Sequence, residues 1–133
     1  MLTKSRMTTM LPVTDADRAG RFYGETLGLR ELGVTGDGTR QFMVGEGDAI
    51  GLMVAEEGAQ SGHTAVSFEV GDLEAEIRDL QGRGVVFEDY DLPGLKTVDH
   101  IATMGEERAA WFCDTEGNIL CLHEGRHTAG GRG

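Results

Sequence analysis

Apolar and polar residues alternate along the chain in short runs, and this alternation gives way twice to helical spacing. Leu11-Pro12-Val13-Thr14-Asp15 leads into a segment from Ala16 through Leu27, where Ala19, Phe22, Tyr23 and Leu27 share one helical face. Phe68-Glu69-Val70-Gly71-Asp72 leads likewise into Leu73 through Leu80, with Leu73, Ile77 and Leu80 at i, i+4 and i+7. In both openings a strand ends at an Asp suited to cap a helix by accepting backbone N–H bonds. Glycine then stops each helix, Gly28 the first and Gly82 and Gly84 the second.

Strand-like runs follow each helix. After the first come Leu29 to Thr35, Arg40 to Val44 and Ala49 to Val54, separated by Gly36-Asp37-Gly38 and Gly45-Glu46-Gly47-Asp48. After the second come Val85 to Glu88, an irregular stretch over Leu92–Gly105, Arg108 to Cys113, and Asn118 to Glu124. Asp114-Thr115-Glu116-Gly117 joins the last two as a hairpin turn. The chain therefore reads as β-α-β-β-β twice, an internal duplication. The expected organisation is an extension over 1–6, one domain over 7–124 with modules 7–58 and 62–124, and a disordered tail over 125–133.

Composition narrows the classes. Twelve Lys and Arg against 23 Asp and Glu give a net charge of −11, the reverse of the basic footprint that nucleic-acid binding needs. No apolar run approaches the roughly 18 residues of a membrane span, and no basic-then-apolar leader is present, so a cytoplasmic protein without membrane contact is expected. Pairing across the 114–117 turn sets Cys113 opposite Ile119 and Cys121 opposite Trp111, which argues against a disulfide. Glycine, 21 of the 133 residues, exceeds the usual share of roughly 7% and falls mostly in turns, helix stops and the tail. Gly51 stands apart from these, inside a strand, where glycine often marks space for something else.

Met10-Leu11-Pro12-Val13-Thr14-Asp15-Ala16-Asp17-Arg18-Ala19, with Phe22-Tyr23 and Leu27-Gly28-Leu29, resembles the opening of the vicinal oxygen chelate superfamily. That group includes glyoxalase I, extradiol dioxygenases, thiol-transferring fosfomycin-resistance enzymes and bleomycin-resistance proteins. Ala110 through Leu120 is similar to the family's ending, where an Asp-x-x-Gly-Asn turn feeds the last strand. Asp91 through Thr97 is similar to bacterial members of unassigned function. The resemblance spans Thr8 to Glu124. It implies an α+β fold in which two tandem modules form a cup-shaped, curved mixed sheet with helices on the convex side.

The same resemblance places the family's metal ligands at Thr8, Gly51, Ala65 and Cys121. Working sites hold His, Glu or Gln there, because divalent metals need several imidazole or carboxylate donors converging on one point. Gly51 and Ala65 carry no donor, so no metal and no cofactor are expected. His63, Cys121, His123 and His100 are the residues from which a relocated site would have to be built. The cup would collect Thr8, Met10, Pro12, Ala49, Gly51 and Met53, then Ala65, Ser67, Glu69, Trp111, Ile119, Cys121 and His123. Leu11, Val13, Val66, Phe68, Val70, Leu120 and Leu122 would pack under the helices.

The expected function is metal-independent binding of a small organic ligand, of the bleomycin-resistance type, in a cup emptied by Gly51 and Ala65. Met10, Met53, Ser67, Glu69, Trp111, Cys121 and His123 are its candidate contacts, with His100 arriving from a lid formed by the Leu92–Gly105 stretch. An aromatic or cationic antibiotic-like ligand suits the lone tryptophan and the acidic charge. A homodimer is the assembly the resemblance implies. The alternatives are a lyase or dioxygenase with displaced metal ligands, a cofactor-free isomerase using Glu69 or His123 as base, and a fold kept for interaction alone.

Overall fold

The computed structural model describes residues 1–124, so the expected tail over 125–133 lies outside the described residues. After an exposed turn at Leu2–Lys4, the elements run β1 (Thr8–Val13), α1 (Ala16–Arg21), β2 (Arg30–Val34), β3 (Arg40–Val44) and β4 (Asp48–Val54). The chain continues through β5 (Thr64–Glu69), α2 (Leu73–Gly82), β6 (Asp91–Leu92), β7 (Leu95–Val98), β8 (Ile101–Met104), β9 (Glu107–Cys113) and β10 (Ile119–Glu124). Both helix starts behave as their sequences predict: Asp15 accepts from the Arg18 N–H and Asp72 from the Ala75 N–H, each at 3.0 Å. The first helix is shorter than its apolar spacing predicts. Beyond Arg21 it widens into a π-type turn over Phe22–Thr26, where the Leu27 N–H reaches back five residues to the Phe22 carbonyl. The wider turn still buries Phe22 and Tyr23.

The chain divides into two compact units, one of residues 1–62 with 114–118, the other of 63–113 with 119 onward. The turn between β9 and β10 thus belongs to the first unit, although it lies within the second predicted module. Each unit has its own sheet, in the order β1-β4-β3-β2 in one and β5-β10-β9-β8-β7-β6 in the other. In both, the strand before the helix pairs in parallel with the unit's last strand, and the remaining pairs are antiparallel. The orders β1-β4-β3-β2 and β5-β10-β9-β8 are the same connectivity, so the duplication read from the two openings is a duplication of topology. The architecture is α+β, with open sheets rather than a closed barrel.

Leu92–Gly105 is not irregular. It forms β6, β7 and β8, which extend the second sheet by two tight hairpins. Its weak alternation and the absence of Asn-Gly hide them, because the β7–β8 turn is made by Asp99 and His100, with φ of 52° and 73°. Positive φ at both central residues is the turn that matches strand twist, and Asp and His tolerate it better than most side chains. A lid made of a long loop is therefore replaced by a paired hairpin.

Alternation sorts each sheet into two faces. In the first unit Leu11, Val13, Phe42, Ile50 and Leu52 are buried with Ala19 and Tyr23 of the helical segment. Pro12 has no N–H to give a ladder and sits on the edge strand β1, where none is required on that side. In the second unit Ala110, Phe112, Leu120 and Leu122 are buried with Leu73, Ile77 and Leu80 of α2. Val66, Phe68 and Val70, expected under the helix, are half-buried.

Candidate functional site

The open face of the first sheet is built in rows across the strands. Met10 of β1 lies beside Gly51 of β4, and Gly51 beside Gln41 of β3; Thr8, Ala49 and Met43 form the next row, with Pro12 beside Met53. Met10 and Met53 are 44% and 42% exposed, so two flexible thioethers stand on this face. Gln41 and Met43 were missed at the sequence level because β3 was not assigned faces. Its register with β4 is the signal that finds them.

Gly51 does not leave an empty hollow. A Cβ added there would stand 2.8 Å from the Met10 Sδ and 3.0 Å from the Thr39 Cγ2. The Met10 thioether therefore lies over the glycine and occupies the space a side chain would take. Gly51→Ala should consequently be mild, below about 1.5 kcal/mol, since the tightest contact is the far end of a flexible side chain and the Thr39 methyl need give only slightly. In the Met10→Ala background the same substitution should be milder still, with the Thr39 contact alone remaining, and a urea denaturation cycle over the four proteins measures the difference.

The open face of the second sheet gathers most of the remaining candidates. Cys121 pairs with both Ser67 and Trp111, and His123 with both Glu69 and Ala109, so all share one face. Ser67 Oγ and His123 Nδ1 are 2.6 Å apart. Half-buried Trp111 donates from its indole N–H to Thr64 Oγ1 at 3.2 Å, and the Tyr90 ring stands edge-on to it at 5.6 Å. Tyr90 and Thr64 were also missed. The register slips between Ile119 and Leu120, so Thr64 stands beside Ile119 and Ala65 falls in the bulge. Burial pushes the Cys121 thiol up, away from the thiolate that a nucleophile or metal ligand requires. Cys113 is exposed and not disulfide-bonded, as the turn pairing implied.

His100 is not part of this face. It sits in the β7–β8 turn, with Nδ1 2.9 Å from Asp89 Oδ1 and its ring 6.2 Å from that of Phe87, on the α2 side of the sheet. His63 lies just before β5 and points Nδ1 at the Thr64 carbonyl at 3.0 Å. His63, Cys121, His123 and His100 are therefore not brought together as a metal set among the described residues.

The residues at the family's ligand positions do not fit a divalent metal. Gly51 is overlain by Met10, Ala65 has no donor, Thr8 offers a hydroxyl, and Cys121 is held as the thiol. Among the described residues, Asp72, Glu74 and Glu124 are the carboxylates close enough to share an ion. Each of the three already accepts a hydrogen bond from the protein. Glu74 and Glu124 both receive the Arg108 guanidinium, Glu124 also accepts the Leu73 N–H, and Asp72 caps α2.

Comparisons with known proteins agree with this architecture. No curated protein sequence matches the chain. TnmS3, described as an antibiotic binding protein from Streptomyces sp. CB03234, is 24% identical, covering 95% of this chain and 99% of its own, with a TM-score of 0.72. A glyoxalase/bleomycin resistance protein from the same strain is 25% identical, covering 89% and 98%, with a TM-score of 0.65. The fosfomycin resistance protein FosX of Listeria monocytogenes, solved with Mn(II), is 19% identical, covering 95% and 93%, with a TM-score of 0.67. Residues 7–122 match the Glyoxalase/Bleomycin resistance protein/Dioxygenase superfamily, a span holding both strand-helix openings and the closing Asp-x-x-Gly-Asn turn, and the chain belongs to that superfamily.

Proposed function

We propose that this protein binds a small aromatic or cationic organic ligand without a metal, capturing it rather than transforming it. The observation that carries the reading is the Trp111–Tyr90 pair, an edge-to-face aromatic corner on the open face of the second sheet beside Ser67 and His123. A planar ligand can stack on the indole, and a cation is drawn both to its π-face and to a chain of net charge −11. The donor-poor family ligand positions favour capture over metal chemistry. The descriptions of TnmS3 as antibiotic binding and of the Streptomyces relative as a glyoxalase/bleomycin resistance protein point the same way. Capture works by mass action, so affinity and protein amount would set its effect.

Trp111 is the chain's only tryptophan, so its fluorescence reports directly on the site. Titration with a planar aromatic cation such as proflavine should quench it saturably. By calorimetry, Trp111→Phe should bind about tenfold more weakly, or about 1.4 kcal/mol. Absence of any response across a panel of aromatic and cationic compounds would overturn the reading. So would one tightly held Zn, Ni, Mn or Fe per chain in protein purified without a metal-binding tag.

A further inference from the structure

On the α2 side of the second unit's sheet, away from Trp111, α2 and the β7–β8 hairpin enclose an open groove of about 560 Å³. Its apolar part is Ile77 of α2, Val98 of β7 and Ile101 of β8. Three of the chain's twelve basic residues, Arg78, Lys96 and Arg108, line it.

The three cations are not equivalent. Arg108 is committed to Glu74 and Glu124, with N–O distances of 2.6 Å to each, and it holds the Glu74 carboxyl down to about 2. That cross-link engages the nearest carboxylates, although one guanidinium offsets only one of their two charges. Arg78 and Lys96 form no ion pair within 4.0 Å among the described residues, although Arg78 stands near enough to Glu74 to help lower its carboxyl. The other acids near the groove are Asp72 beside Glu74 and Glu124, Asp99 at the hairpin tip, Asp91 across the β6–β7 pair from Lys96, and Asp89, which holds His100. At the tip of the far wall, the Asp89–His100 contact and the Phe87 ring brace a turn whose two residues both have positive φ.

We propose that this groove binds a small amphipathic organic anion, a carboxylate or phosphate monoester with a hydrophobic body. Arg78 and Lys96 receive the oxyanion, and Ile77, Val98 and Ile101 receive the apolar part. Two exposed cations free of short ion pairs among the described residues, beside an apolar floor, favour this class over a neutral hydrophobe or a free inorganic ion. The site stands apart from the Trp111 face and does not depend on it.

Phenyl phosphate is the probe, followed by amide chemical-shift mapping on the full chain at low salt. Saturable shifts are expected over residues 77–81 and 96–103, with affinity falling as NaCl rises. Benzyl alcohol, of similar shape without charge, should bind at least tenfold more weakly. Arg78→Ala/Lys96→Ala changes exposed side chains alone and should keep the amide spectrum while weakening binding at least tenfold. Val98→Asp, which places a carboxylate on the floor, should weaken it comparably, and Trp111→Phe should leave it unchanged. No saturable shifts, shifts centred elsewhere, unchanged affinity in the double variant, or loss in Trp111→Phe would each overturn the proposal.

Discussion

Glu116→Ala should destabilise the protein by about 3 kcal/mol, the range for removing one partner of a buried, hydrogen-bonded charge. The Glu116 side chain is 0% exposed although its neighbour Arg18 is 47% exposed. Its Oε1 accepts from the Thr14 N–H, the Asp15 N–H, the Thr14 hydroxyl and Arg18 Nη2, at 3.0 to 3.1 Å. Its Oε2 accepts from Arg18 Nε at 2.7 Å and the Thr115 hydroxyl at 2.8 Å. The ion pair itself is partly solvated and so worth little. The larger cost is leaving the backbone donors just before α1 without a partner. Arg18→Ala should therefore cost less, about 1 to 2 kcal/mol, because the carboxylate keeps its other donors. Urea denaturation of both variants tests the order, and an equal cost would place the effect in the ion pair instead.

The same carboxylate predicts an acid dependence. Arg18, followed by the hydroxyl and backbone donors, holds the Glu116 carboxyl far below its ordinary value despite burial. A folded-state value below the unfolded one means the folded chain binds fewer protons. The stabilisation is therefore fully present above about pH 4.3 and is lost as pH falls toward the folded value. Glu116→Ala should flatten that part of the stability curve, and wild-type and variant should converge under strongly acid conditions.

Asp114→Ala should have the largest effect, about 4 kcal/mol, because a buried carboxylate there satisfies four donors at once. Oδ1 accepts the N–H groups of Glu116 and Asn118, both at 2.8 Å. Oδ2 accepts the Tyr23 hydroxyl at 2.7 Å and Asn118 Nδ2 at 2.9 Å. Asn118 spends its other amide hydrogen on the Pro12 carbonyl at 3.0 Å, and Gly117 turns the chain with φ of +89°. The Asp-x-x-Gly-Asn signature is thus a buried hydrogen-bond network. Tyr23→Phe removes one donor and should cost about 1 to 2 kcal/mol. In the double variant the two losses should not add, because they share one bond. Burial and the Asp114 charge push the Tyr23 phenol above its ordinary range. Since its folded value is raised, stability should decline as pH climbs past about 10, where the unfolded tyrosine ionises. The tyrosinate absorbance of Tyr23 should then appear together with unfolding.

Much of this architecture is legible in the sequence because its causes are local. The Asp15 and Asp72 caps act within three residues of themselves. The 114–117 turn sets the β9–β10 register by counting, so Trp111 and Cys121 fall opposite each other as the spacing requires. Parity alone then puts Ser67, Cys121, His123 and Trp111 on one face once the strands pair. The hairpins within Leu92–Gly105 are hidden in the sequence because Asp99 and His100 replace the usual turn glycine, and strand pairing with the Asp89–His100 contact supports their left-handed backbone.

The sequence by itself determined the family, the duplicated strand-helix openings, the absence of strong metal donors at Gly51 and Ala65, and the acidic charge. Tertiary structure decided what side chains do with the space they are given. Met10 folds over Gly51, which periodicity cannot foresee because a methionine has three free torsions. His100 leaves the face assigned to it for the opposite side of the sheet, because a turn's exit direction depends on its φ values. Arg108, an ordinary strand cation in the sequence, becomes the partner of two carboxylates from α2 and β10, while Arg78 and Lys96 beside it form no short ion pair among the described residues. One-dimensional patterns fix which face a residue occupies. Which charges are neutralised and which remain available depends on long-range neighbours, and only the folded chain supplies those.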